Sequence, residues 1–125
     1  MITVVAAVLE RDDHFLVTRR LEGVHLAGMW EFPGGKVDPG ETHATALKRE
    51  LHEELDTDVD VGHLLFETTH DYGDIVVRLF FYGCELTGTP RPLLGQEMQW
   101  VAREALRTLA FPPADAELIE KLGAG

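Results

Sequence analysis

The chain has 125 residues, of which 45% are hydrophobic and 26% are charged, values typical of one globular domain with a modest core. No apolar run approaches the roughly 20 residues that a membrane helix needs, and the single cysteine, Cys84, excludes an internal disulfide. The 22 Asp and Glu residues outnumber the 11 Lys and Arg residues, and the resulting net charge of −11 disfavours a nucleic-acid polymer as the partner. We therefore expect one cytoplasmic domain over residues 1–125 that has no membrane partner.

The first third of the chain predicts a β-hairpin followed by a loop. Ile2–Leu9 and Phe15–Thr18 are short apolar runs, and Arg11–Asp13 between them has the composition of a turn. Ile2–Leu9 follows no basic leader, so it is interpreted as a strand and not as a signal peptide. Leu21–Trp30 contains two glycines and predicts a loop, and Glu31–Gly40 carries turn residues at both ends.

The clearest helix is predicted from about Thr42 to Leu55. Ala44, Leu47, Leu51 and Leu55 recur at the spacing of one helical face and form an apolar stripe. Thr42 or Glu41 lies near the start of the helix, which fits the preference for capping and acidic residues at that position.

The remaining elements are three strands and two helices. We expect strands at Val59–Phe66, Ile75–Leu86 and Gln99–Val101, where β-branched and aromatic residues are frequent. Helices are predicted over Arg103–Leu109 and Ala114–Leu122. Because strands and helices do not alternate regularly, the predicted fold class is α+β, with helices packed on a mixed sheet.

Three carboxylates share one face of the central helix. Glu50, Glu53 and Glu54 are spaced i, i+3 and i+4, so they repel one another by a few tenths of a kcal/mol per close pair. A cation held among them removes this penalty, and oxygen ligands favour Mg²⁺ or Mn²⁺ over zinc. The alternative is a solvated acidic face, since glutamate is a good helix former. Gly34 and Gly35, just before the helix, favour the metal site because their backbone can approach a ligand closely.

These residues belong to a longer pattern, G-x5-E-x7-R-E-L-x-E-E, which resembles the Nudix box. That box is the signature of hydrolases that act on nucleoside diphosphates linked to another group. The fixed positions of the pattern are Gly35, Glu41, Arg49, Glu50, Leu51, Glu53 and Glu54. The family pattern continues with a glycine where this chain has Asp56. Since that glycine ends the helix in a left-handed conformation that Asp tolerates at modest cost, the departure affects the helix end and not the ligands.

The resemblance implies a Nudix fold, with a mixed sheet sandwiched between helices, and a role for each box residue. The implied ligands of Mg²⁺, or of Mn²⁺ in its place, are Glu50, Glu53, Glu54 and the Gly35 carbonyl. Arg49 would orient one of the glutamates by a charge-assisted hydrogen bond, and Glu41 would support the junction between loop and helix. Bound metals neutralise phosphate charge and make water more acidic. Glu53 is the predicted base, with Arg49 and Glu50 as its catalytic neighbours.

The resemblance extends to the MutT branch, whose members hydrolyse nucleoside triphosphates to a monophosphate and pyrophosphate. Trp30–Val37 and Phe111–Asp115 carry this likeness. The branch member specialised for oxidised guanine nucleotides has an asparagine, which reads the base edge, where this chain has Asp115. A carboxylate accepts hydrogen bonds and donates one only when protonated. Asp115 therefore either reads a base edge with a different code or is an acidic residue at a helix start.

Five further residues are candidates, and all of them except Glu31 have a plain structural alternative. Arg20 contacts the phosphate or the base, or is a surface arginine; His25 lies near the nucleotide, or is a polar loop residue. Glu31 meets the ribose. Phe32 lines the base pocket or packs in the core. Glu97 is either an additional metal ligand or an exposed loop acid.

The sequence therefore predicts a Mg²⁺-dependent nucleoside triphosphate pyrophosphohydrolase, and oxidised nucleotides such as 8-oxo-dGTP are its most specific candidate substrates. Cytidine-type nucleotides and other nucleoside diphosphate derivatives, such as ADP-ribose, are the alternatives among enzymes. A non-catalytic nucleotide-binding module is the alternative of another class, and the full set of box glutamates disfavours it. The expected partner is a small nucleotide, and the chain is expected to be a monomer or a homodimer.

Overall fold

A computed structural model describes residues 1–24 and 26–124. Within them the strands are β1 (Ile2–Arg11), β2 (His14–Arg19), β3 (Trp30–Glu31), β4 (Gly34–Lys36), β5 (Val59–Asp71), β6 (Val76–Leu86) and β7 (Met98–Ala102). The α-helices are α1 (His43–Leu55) and α2 (Ala116–Ala124), and the 3₁₀ helices are Arg103–Thr108 and Pro113–Asp115. None of the described helices is long and apolar enough to span a membrane.

The sheet is mixed and has β1 near its centre. The strand order is β3-β2-β1-β6-β5, with β4 paired to β1 and β7 paired to β2. β1 runs parallel to β6, whereas its pairings with β2 and β4 are antiparallel. β4 ends at Lys36 and α1 begins at His43, so a short connection links the centre of the sheet to that helix.

Two cores cover the two faces of this sheet. Alternate side chains of a strand point to opposite faces, so Val5 and Ala7 of β1 pack with α1, whereas Ala6 and Val8 pack with α2 and the first 3₁₀ helix. Helices thus lie on both faces of the sheet, which confirms the predicted α+β fold. In α1 the buried residues are Ala46, Leu47, Leu51 and Leu55, and Ala44 of the predicted stripe is exposed.

The end of the chain differs from the prediction in helix type. Arg103–Thr108 forms a 3₁₀ helix and not an α-helix, because the segment between β7 and the following prolines is too short for cooperative α-helix formation. The predicted helix over Ala114–Leu122 begins as the 3₁₀ helix Pro113–Asp115 and continues as α2.

Three strands differ most from the prediction, because β3 and β4 lie in segments expected to form a loop and turns and β5 is longer than expected. β4 lies inside the segment expected to form turns, and it can approach β1 because residue 34 is glycine: a Cβ atom there would lie 2.8 Å from the Ala6 Cα. β5 continues past Phe66 to Asp71 through a polar stretch that pairs with β6 as far as Val76. The sequence did not predict this extension, because a polar, exposed strand lacks the apolar alternation used to predict strands.

Candidate active site

Both ends of α1 are fixed, which holds its carboxylates in place. At the start, the Thr42 hydroxyl accepts a hydrogen bond from the Thr45 N–H at 3.1 Å. At the end, Asp56 adopts the left-handed conformation with φ of 51°, and its carboxylate pairs with Arg91. The left-handed Asp56 confirms that the departure from the family glycine lies at the helix end.

Arg49 joins the loop before α1 to the carboxylates on the helix. Its Nε and Nη2 donate to the two oxygens of Glu41 at 2.8 and 2.9 Å, and Nη2 also donates to the Lys36 carbonyl at 2.9 Å. Its Nη1 donates to Glu50 at 2.9 Å and lies 3.4 Å from Glu53. These contacts raise the pKa of Arg49, and its hydrogen bonds hold the pKa of Glu41 at about 2. The structure thus brings together the residues for which orienting and supporting roles are predicted.

Glu50 packs directly on the backbone of Gly35. A Cβ atom at Gly35 would lie 2.5 Å from Glu50 Oε2, so only glycine leaves room for this carboxylate. Burial raises the pKa of Glu50, although the hydrogen bond from Arg49 acts in the opposite direction. The Glu50 carboxylate therefore lies against Gly35, the residue whose carbonyl is predicted as a further metal ligand.

Glu54 has the most strongly shifted carboxylate of the group. Burial, with the charges of Glu50, Glu31 and Glu53, raises the pKa of Glu54 to about 8, although the Gly34 N–H donates to it. Glu53 is more open, with a side chain that is 59% exposed. Four carboxylates thus form an electrostatically costly cluster that a cation would stabilise.

A second group of residues adjoins this cluster. Arg20 Nη1 lies 2.7 Å from Glu31 Oε2 in a half-buried ion pair. Asp115 is only 4% exposed, and burial followed by the charge of Glu31 raises its pKa to about 7, which Arg20 partly opposes. Because the charges of Glu31 and Glu50 also interact, Glu31 links the second group to the carboxylates of α1.

Phe32 lies in the core. It is 3% exposed, stacks on Phe111 with ring centroids 5.5 Å apart, and meets the edge of Phe81 at 6.1 Å. Only Phe111 of this trio is partly exposed. A contact between Phe32 and a nucleotide stays a prediction.

The predictions for Glu97 and His25 have different outcomes. The Glu97 carboxylate pairs with Arg19 at 3.0 Å in an exposed ion pair and joins none of the contacts described for the α1 carboxylates. Its role as a metal ligand stays a prediction. His25 lies outside the described residues.

Two residues next to the site, Tyr72 and Gln96, are not among the predicted site residues. Tyr72, in the turn between β5 and β6, lies close enough to Asp115 for that charge to raise its pKa after the effect of burial. Gln96 is buried against the end of α1, where its amide donates to the Glu54 carbonyl. Neither residue belongs to a motif, and only the preceding glycine in Gly95-Gln96-Glu97 marked a loop.

The carboxylates of this cluster lie close together, but their oxygens do not surround one common point. Across residues 1–24 and 26–124, no three His, Cys, Asp or Glu side chains are arranged to hold one metal ion. Glu53 points towards Arg49, but its contact is long and its side chain exposed. The donors near Gly35 are all oxygen atoms, the set that fits a hard divalent cation.

Comparison with known proteins identifies the family. The sequence-family model of the NUDIX domain matches residues 4–121 of this chain. The chain is 41% identical to the "8-oxo-dGTP diphosphatase" of Haemophilus influenzae over 98% of its own length and 91% of that protein. It is 36% identical to the "CTP pyrophosphohydrolase" of Escherichia coli over 96% and 90% of the two chains. It superposes on MutT from methicillin-resistant Staphylococcus aureus with a TM-score of 0.80 and 37% identity, covering 98% of this chain and 95% of that one. The protein therefore belongs to the Nudix family and is a MutT-like pyrophosphohydrolase.

Proposed function

We propose that this enzyme hydrolyses nucleoside triphosphates to a monophosphate and pyrophosphate, with Mg²⁺ as its ion and 8-oxo-dGTP as its leading substrate. The observation that carries the proposal is the cluster of Glu31, Glu50, Glu53 and Glu54 beside Gly35, in which neighbouring charges help to raise the pKa of Glu54 to about 8. Such crowding of carboxylates is stable at neutral pH only with a proton or a cation among them. The name of the H. influenzae relative supports the substrate.

The chain's own residues have separate tasks at this cluster. Nudix hydrolases generally use a divalent metal. Glu50, Glu53, Glu54 and the Gly35 carbonyl would hold it, and when bound it neutralises phosphate charge and polarises the phosphoryl oxygens. Arg49 holds Glu50 in place at 2.9 Å. Glu53, the most accessible of the three helix glutamates, takes the proton from the attacking water.

The nucleoside end of the substrate lies at the second group of residues. Arg20 is paired with Glu31 at 2.7 Å, and its guanidinium is the group that would contact the phosphate or the base. Asp115 lies near both, and with a pKa of about 7 its carboxyl exists in both protonation states at neutral pH. It can therefore accept a hydrogen bond or donate one to a base edge.

Cytidine nucleotides are the second candidate substrates. The relative from E. coli is named a CTP pyrophosphohydrolase, and an ionised Asp115 can accept a hydrogen bond from the exocyclic amino group of cytosine. This group is a donor that guanine does not present at the same place. The choice between the two substrates therefore depends on the state of one buried carboxyl.

A nucleotide panel tests the proposal. The purified protein is incubated with Mg²⁺ and with 8-oxo-dGTP, dGTP, CTP, dCTP or ADP-ribose, and the products are separated by chromatography. We expect a nucleoside monophosphate and pyrophosphate in equal amounts, with the highest kcat/KM for 8-oxo-dGTP. Release of orthophosphate without pyrophosphate would refute the bond assignment, and a preference for CTP would select the second candidate.

The role of Glu53 has a matched test. Glu53→Gln removes the charge but keeps the size, so we expect turnover to fall by roughly 10²- to 10⁴-fold while a non-hydrolysable nucleotide analogue still binds. Glu120→Gln makes the same change at an exposed glutamate of α2 and serves as the control. Equal turnover of the two variants would count against a catalytic helix.

Other parts of the prediction stay proposals. The buried Cys84, whose pKa burial raises to about 11, is an unreactive thiol that suits a cytoplasmic protein. The net charge of −11 argues against nucleic acid and anionic membrane surfaces as partners. A monomer and a homodimer are both compatible with the function, and sedimentation of the purified protein distinguishes them.

A further inference from the structure

The side chain of Gln96 bridges the loop before β7 and the last turn of α1. Its Nε2 donates to the Glu54 carbonyl at 3.2 Å, and its Oε1 accepts from the Leu94 N–H at 2.9 Å. The residue is 8% exposed. Both ends of the amide are therefore engaged by backbone groups, which fixes the side chain in one orientation.

The same loop supplies further partners to the end of α1. The Leu93 N–H donates to the Glu54 carbonyl at 3.0 Å, and the Arg91 N–H donates to the Leu55 carbonyl at 2.7 Å. A helix leaves its last carbonyls without partners inside the helix. Here the loop supplies donors to the carbonyls of Glu54 and Leu55, and the Glu54 carbonyl receives two of them.

Gln96 is followed directly by Glu97, which is anchored on the other side. The Glu97 carbonyl accepts the Arg19 N–H at 3.0 Å, and its carboxylate pairs with the Arg19 side chain. Two consecutive residues thus make the contact with the Glu54 backbone and the contact with β2. The amide of Gln96 connects the segment that carries Glu97 to the turn that carries Glu54.

We propose that Gln96 is a positioning residue, which holds the Glu54 turn of α1 and the Glu97 segment in a fixed relative position and thereby sets the affinity for the divalent ion. The inference rests on the proposed function, because it requires Glu54 to be a ligand. Loss of the amide would let the last turn of α1 shift against the loop. The Glu54 carboxylate would then lose its fixed distance from Gly35 and Glu50, as happens when groups behind metal ligands are removed.

Binding of Mn²⁺ alone to the full chain tests this role. The bound fraction is followed by the loss of the free-ion signal in electron paramagnetic resonance, at a temperature well below the unfolding transition of each variant. We expect Gln96→Ala to weaken Mn²⁺ binding by roughly tenfold. Gln96→Met, which keeps the packing of the side chain but removes both hydrogen bonds, should show the same loss and secures the test if the alanine variant folds poorly.

Arg91→Ala is the matched control in the same loop. It removes the ion pair with Asp56 but retains the backbone N–H that caps Leu55, and it contacts none of the site glutamates. Its Mn²⁺ affinity should equal that of the wild type. A Gln96→Met variant that melts earlier yet binds Mn²⁺ as tightly as the wild type would overturn the inference and leave the proposed function standing. A wild type that binds no Mn²⁺ would overturn both.

Discussion

At Gly35 the absence of one carbon atom makes room for a carboxylate. The backbone φ of this residue is not in the left-handed region, so alanine would collide with the Glu50 carboxylate but would cause no backbone strain. Glu50 is a flexible side chain that can move away at small cost. We expect Gly35→Ala to change the free energy of unfolding by less than about 1 kcal/mol and to weaken Mn²⁺ binding by roughly tenfold or more. Urea unfolding and Mn²⁺ titration measure the two effects.

Gly73→Ala provides the comparison for that variant. Gly73 has a φ of 97° and open space around its Cβ position, so alanine there is strained but collides with nothing. This variant should lose stability and keep its Mn²⁺ affinity, the opposite pattern to Gly35→Ala. Unchanged Mn²⁺ binding in Gly35→Ala would show that the position of Glu50 is not set by the missing side chain.

Asp115 makes stability depend on pH. Its pKa is raised from 3.8 to about 7 by burial and Glu31, against the opposing charge of Arg20, with Tyr72 also near. Between these pH values the folded state binds the extra proton, so the contribution of Asp115 to stability falls as the pH rises through this window. The neutral Asp115→Asn variant should therefore gain stability relative to the wild type from pH 4.5 to pH 8, by at most about 4 kcal/mol. A difference in unfolding free energy that is the same at both pH values would contradict this.

Residue spacing predicts the positions of some site residues and not of others. The i, i+3, i+4 pattern placed Glu50, Glu53 and Glu54 on one helix face, as found, because helix geometry alone determines it. The positions of Tyr72 and Gln96 could not be predicted in this way. They reach the site through the β5–β6 turn and the loop before β7, whose paths depend on tertiary packing.

Among the elements, α1 ends at a position where aspartate stands in place of the family's glycine. Asp56 occupies the left-handed position that glycine adopts without strain, and its carboxylate pairs with Arg91 on the surface. Asp56→Gly removes the strain and the exposed ion pair together, so we expect a melting temperature within about 3 °C of the wild type. Asp56→Ala removes the ion pair but keeps the strain, and should melt roughly 5 °C lower. Thermal unfolding followed by circular dichroism measures both, and a fall as large for glycine as for alanine would show that the side chain, not the backbone, secures this cap.

The helices and strands differ in how clearly the sequence predicts them. α1 was predicted within one residue at its start, because an apolar stripe and a threonine cap coincide there. The second half of β5 was missed because Glu67–Asp71 are polar and belong to an exposed strand. Short 3₁₀ helices such as Arg103–Thr108 have too few residues to show the period that separates them from an α-helix.

In the whole molecule, the sheet separates two kinds of contribution to the site. The face covered by α1 carries the carboxylates, and the other face is covered by α2, which begins directly after Asp115. The proposed ion site and the proposed base site therefore depend on different cores. Weakening the helix packing on one face should leave the function of the other face intact, provided that the sheet stays folded.

Arg103 offers the test of this separation, because it fastens α2 to the β1–β2 hairpin. Its guanidinium donates to Glu10 at 2.8 Å, to Asp13 at 2.7 Å and to the Leu122 carbonyl at 2.8 Å, and it lies 4.9 Å from the Phe15 ring centre. We expect Arg103→Met to lower the melting temperature by roughly 5–10 °C and to leave Mn²⁺ affinity unchanged, because no α1 carboxylate contacts this arginine.

Arg107→Met is the control, since Arg107 lies in the same 3₁₀ helix but forms one exposed ion pair with Glu120, and it should melt within about 3 °C of the wild type. Calorimetry and Mn²⁺ titration of both variants give the answer. If Mn²⁺ binding weakens in step with the stability of Arg103→Met, the two faces of the sheet act as one unit. The carboxylate cluster would then depend on the docking of α2 as much as on α1 itself.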